Sequence, residues 1–114
     1  MREESIEELL LEWPNLKEEI RHSFEKRDKE SAAALMKKGI NIFLTFLYES
    51  NEVQTSPKSE IDYEQLLIKP VNCGERLEFV MARPNLHHSY MQLCELMSEQ
   101  EKGYRKALAI KKLK

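Results

Sequence analysis

The sequence predicts an all-α protein: a compact bundle of five to six helices around a buried central helix, with a long C-terminal helix lying across it. Three observations carry that expectation. Three glycines and four prolines in 114 residues leave little turn chemistry for a sheet protein. The mixture of 41% hydrophobic and 33% charged residues suits helices that bury one face and solvate the other. Apolar residues recur at spacings of three and four, and the one strand-like run, INIFLTFLY, has no partner strand elsewhere. A chain of this length is expected to form one domain, residues 1–114, with a single core.

The first element is predicted from Ser5, which stands three residues before Glu8 with capping-box spacing and opens a short helix carrying Ile6, Leu9 and Leu10. Trp13-Pro14 is expected to end it, because proline disfavours helical geometry in the residue before it. Asn15 then caps a second helix whose Leu16, Ile20 and Phe24 share a face. Asp28 and Ser31 mark a break before a third helix running to about Glu49. Its Leu35, Met36, Ile40, Ile42, Phe43, Leu44, Phe46 and Leu47 surround the axis, which makes it the predicted centre. Trp13, Phe24, Phe43 and Leu47 are the expected core residues.

Residues 51–60 carry Pro57 and no apolar period, so a mobile loop is expected there. Asp62 and Gln65 open a short helix bearing Leu66 and Leu67 that Pro70 stops. Asn72 and Glu75 open another, with Leu77, Val80 and Met81, that Arg83-Pro84 closes. From Asn85 to about Lys112 one long helix presents Leu86, Tyr90, Leu93, Met97, Gln100, Tyr104 and Ala107 along a seam.

Within KPVNCGERLEFVMARPNLHHSYMQLCELMSEQEKGY, residues 69–104, several pieces resemble the YpoC-like family, small helical proteins of low-GC Gram-positive bacteria. They are Lys69-Pro70-Val71-Asn72, Glu75-Arg76-Leu77, Arg83-Pro84 and His88-Ser89-Tyr90 with Gln92-Leu93. The resemblance implies a helical domain and transfers no functional residue. It leads one to expect an aromatic before the His-Ser pair, where this chain has His87.

The residues contain no catalytic or metal motif. Only Glu19 and His22 show Glu-x-x-His spacing, short of the two such pairs and two further glutamates of a di-iron bundle. His87 and His88 are adjacent and point about 100° apart on a helix, so they cannot share one ion. Cys73 follows the Asn72 cap, where a helix N-terminus lowers a thiol pKa, but no neighbouring base is evident. Cys94 borders the Leu93 and Met97 seam as a small core residue. No glycine-rich phosphate loop exists, and no cofactor is expected.

Two surface features remain. Arg76, Arg83, His87, His88 and Tyr90 are expected to gather at one helix-helix corner, where they would contact an anion or an acidic partner unless an internal Arg-carboxylate pair occupies them. Lys102, Arg105, Lys106, Lys111 and Lys112 make the C-terminal helix basic, opposite a start made acidic by Glu3, Glu4, Glu7, Glu8 and Glu12. A net charge of -2 gives no global attraction to nucleic acid or membrane.

The reading that follows is a non-catalytic helical module that binds another protein. The alternative is a nucleic-acid-associated accessory protein using the basic helix, and an unrecognised enzyme is least favoured. With no signal-peptide pattern, no apolar run of membrane-spanning length and no Cys-x-x-Cys pair, a cytoplasmic location with reduced thiols is expected.

Overall fold

The computed structural model describes residues 2–52 and 62–113, and the loop expected to be mobile lies largely outside them. Four α-helices appear among the described residues: α1 (Arg2–Glu25), α2 (Lys29–Ser50), α3 (Cys73–Ala82) and α4 (His87–Lys112). One 3-10 turn, Tyr63–Gln65, precedes α3. The all-α class therefore holds, but the helix count falls below the predicted five to six.

The difference arises at two places. Trp13-Pro14 does not end a helix, since α1 runs unbroken from Arg2 to Glu25 with Pro14 inside it. Pro14 faces solvent, where water can satisfy the carbonyl that its missing N–H leaves free. Ile6, Trp13, Leu16 and Ile20 lie on one buried stripe that continues past it. Burying that stripe outweighs the loss of one helical hydrogen bond. The second place is Asp62–Gln65, which makes a 3-10 turn rather than an α-helix before Leu66 turns to extended backbone.

Helix α2 starts where expected: the Asp28 carboxylate accepts from the Ser31 N–H at 3.1 Å and from its hydroxyl at 2.7 Å. Its Met36, Phe43, Phe46 and Leu47 are fully buried, while Lys37, Lys38, Asn41 and Thr45 keep one strip in water. It packs against α1 and α4. Gly39 lies at the tightest point, since a Cβ there would stand 3.0 Å from a Leu93 methyl and 3.2 Å from the Trp13 ring.

Helix α4 touches all three other helices and shares the centre with α2. Tyr90, Leu93, Met97, Gln100 and Tyr104 of the expected seam are buried, whereas Leu86 is exposed and Ala107 half-buried. Trp13, Phe43 and Leu47 are core residues, and Phe24 is half-buried at its edge. Asn72 does precede α3, but in the left-handed region (φ 54°, ψ 37°) and without a side-chain cap hydrogen bond. Asparagine tolerates that conformation better than most residues.

A candidate docking cleft at one end of the bundle

The segment between the 3-10 turn and α3 is pinned by side chains. Asn51, just past α2, donates from Nδ2 to the Ile68 carbonyl at 2.8 Å and accepts from the Ile68 N–H at 2.8 Å. Gln100 of α4, wholly buried, donates to the same carbonyl at 3.0 Å. Lys69 donates to the Tyr63 carbonyl at 2.8 Å. These bonds hold 66–68, a bend that follows the extended Leu66, against the ends of α2 and α4. Between that chain, the start of α1 and the last turns of α4 lies a cleft of about 880 Å³.

The cleft has an apolar interior and charged edges. Ile6, Leu66, Ile68, Ala107 and Leu108 line it, and Leu67 stands at its lip with 95% of its surface exposed. Glu3, Glu4, Glu49 and Glu52 border it from α1 and the end of α2, and Lys111 and Lys112 border it from α4. Two residues that line the cleft carry a buried polar atom without a hydrogen-bond partner, Glu49 at Oε2 and Tyr104 at its hydroxyl, and Oε1 of the neighbouring Gln100 is a third such atom behind the wall. The other Glu49 oxygen accepts from the Ser5 hydroxyl at 2.9 Å, a bond that joins α1 to α2. Ser5 thus lies inside α1 and is not the predicted cap. Tyr104 is 6% exposed and packs edge-on against Phe46 with ring centroids 5.7 Å apart. Burial, with Glu3 and Glu7 nearby, raises its phenol pKa, so the hydroxyl keeps its proton at neutral pH.

The predicted corner does not assemble as one cluster. Arg76 is held inside the fold by α4: its guanidinium donates to Gln92 Oε1 at 2.6 Å and to both oxygens of Glu99 at 3.0 and 2.6 Å. It also caps the Val71 carbonyl at 2.9 Å. The Arg76 hydrogen bond holds the Glu99 carboxyl below its ordinary range. An internal Arg-carboxylate pair therefore exists, at Arg76 rather than Arg83.

Arg83 lies exposed over the Phe79 ring, 5.0 Å from its centroid, and His88 meets the same ring edge-on at 5.4 Å. His87 packs edge-on against Phe24 at 5.5 Å and beside Tyr90 at 5.7 Å. Tyr90 itself is buried.

The basic helix is likewise divided. Arg105 pairs with Glu7 of α1 and with Glu101 one turn back. Lys102, Lys106, Lys111 and Lys112 are exposed and make no ion pair among the described residues. Cys73 is buried, and that burial pushes its thiol up to about 11, overriding any helix N-terminal effect. Cys94 is half-buried, and its thiol is raised for the same reason. No group of three His, Cys, Asp or Glu side chains converges as a metal site would need, among the described residues. No described helix is long and apolar enough to cross a membrane.

The cleft was not singled out from sequence. Its signals were Leu66-Leu67 beside a polar loop, and an acidic start facing a basic end, but only the fold shows that these meet.

Fold and site together define a small all-helical protein with a terminal amphipathic cleft. The chain belongs to the YpoC-like family, whose pattern it matches over residues 3–112. It is 30% identical over 99 residues to the uncharacterized protein YpoC of Bacillus subtilis (strain 168), an alignment covering 82% of this chain. The same alignment covers 58% of the relative, so the chain spans little more than half of that protein. No solved structure matches it.

Proposed function

We propose that this domain is a non-catalytic interaction module that docks a segment of a partner protein in the terminal cleft. The observation that carries the reading is the cleft's construction: an apolar interior, an exposed leucine at the lip and charge on both edges. Protein-binding sites combine an apolar centre with a polar rim in this way. The pinning of Ile68 by Asn51 and Gln100 also supports it, because a preformed wall lowers the entropy cost of binding.

The test is photo-crosslinking in the native host from a reactive analogue placed at Leu67, compared with the same analogue at Arg83. A discrete protein adduct from position 67 that is lost when Leu108→Asp is added supports docking. Adducts from position 83 alone would overturn it.

The exposed Lys102, Lys106, Lys111 and Lys112 favour a second reading, contact with nucleic-acid phosphates. Arg105 adds little to it, being engaged by Glu7 and Glu101. Binding of this kind would weaken steeply with salt, whereas docking on an apolar centre would persist.

A further inference from the structure

We infer that the occupant of the cleft is an amphipathic helical segment bearing a lysine or arginine beside its apolar face, with that cation seated against Glu49 and hydrogen-bonded near the Tyr104 hydroxyl. The inference rests on the docking reading above and specifies its partner chemistry.

Charge gives the first argument. Four glutamates border the cleft against two lysines, and the lysines both lie at the end of α4. The α1 and α2 side is therefore the acidic one, and a positive group belongs there. Unpaired polar atoms give the second. Glu49 has one oxygen satisfied by Ser5 and the other without a donor, while the Tyr104 hydroxyl, on a side chain 94% buried by its 6% exposure, has no partner either. Buried polar atoms without hydrogen bonds are destabilising, and a donor from outside the chain would relieve that cost. An ammonium or guanidinium donates to a carboxylate oxygen and a phenol oxygen alike. Size gives the third argument. One turn of helix, 5.4 Å long and 10–12 Å across, fills about 500 Å³, so about 880 Å³ matches the volume of a little under two whole turns, or the inward face of about three to four. Apolar residues at spacings of three and four on that face would meet Leu67, Ile68 and Leu108.

The experiment uses the full chain and three synthetic 16-residue amphipathic helices with the same leucine and alanine face. Their flanking positions carry lysine, glutamine or glutamate. Binding is followed by fluorescence anisotropy and by methyl NMR shifts at Ile6, Leu67 and Leu108. The lysine peptide is expected to bind about tenfold more tightly than the glutamine peptide, with the glutamate peptide weakest. Glu49→Gln, which keeps an acceptor for Ser5, should weaken the lysine peptide about tenfold and so abolish its advantage over the glutamine peptide. Tyr104→Phe should weaken the lysine peptide severalfold while leaving the melting temperature equal or higher, because no other group of the protein bonds the hydroxyl.

Equal affinities for all three peptides, with shifts in the cleft, would overturn the cationic inference and leave docking standing. Absence of cleft shifts with every peptide at millimolar concentration would overturn both.

Discussion

At the scale of single residues, the side chains that decide this structure are those whose partners lie far along the chain. Arg76 is the clearest case, because three hydrogen bonds carry it to Gln92 and Glu99 on α4 and another to Val71 before α3. From sequence its arginine neighbours suggested a shared anion site. An arginine free to bind an anion and one already paired with a carboxylate look alike until the fold places Glu99 opposite. Arg76→Ala is expected to lower stability by about 1–2 kcal/mol at neutral pH, a figure kept small because Glu99 stays partly in water. The pH dependence has a definite sign. Glu99 has a lowered pKa in the folded protein, so its pairing stabilises the fold above the ordinary carboxylate range and is lost as pH falls through the lowered value. Urea melts should therefore show the gap between wild type and variant narrowing below about pH 4. A gap that widens in acid would contradict the pairing.

At the scale of elements, much was legible because local chemistry and packing agree. Asp28 and Ser31 read as a cap and are one, and the apolar turns of α2 read as a core helix and are buried. Legibility failed where packing overrode local preference. Pro14 argues for a break, but a buried stripe on both sides of it keeps α1 whole. The two effects separate in opposite directions. Phe43→Ala removes a fully buried ring from the centre of α2 and should destabilise the protein by about 3–5 kcal/mol. Pro14→Ala restores a hydrogen bond on an exposed helix face and should stabilise it by about 1–3 kcal/mol. Equilibrium denaturation measures both, and a destabilising Pro14→Ala would mean that the proline sets a bend the bundle needs.

At the scale of the whole molecule, acidic and basic ends of the chain meet across the fold. Arg105 pairs with Glu7, and the two lysines at the end of α4 face glutamates across the cleft. The polarity of the sequence was visible, and so was a long basic helix. Its consequence was not, since which surfaces close on each other depends on how α1 and α4 align. The site expected at residues 83–90 presents exposed side chains resting on aromatic rings, while the cleft at the other end gathers apolar walls, charged rims and two unsatisfied buried polar atoms.

That contrast makes the most direct test a backbone amide shift map of the protein titrated with the lysine-flanked amphipathic peptide. The account predicts perturbations concentrated at residues 3–6, 49–52, 65–68 and 104–112, with residues 83–90 unmoved. Shifts confined to 83–90, or none at millimolar peptide, would contradict it.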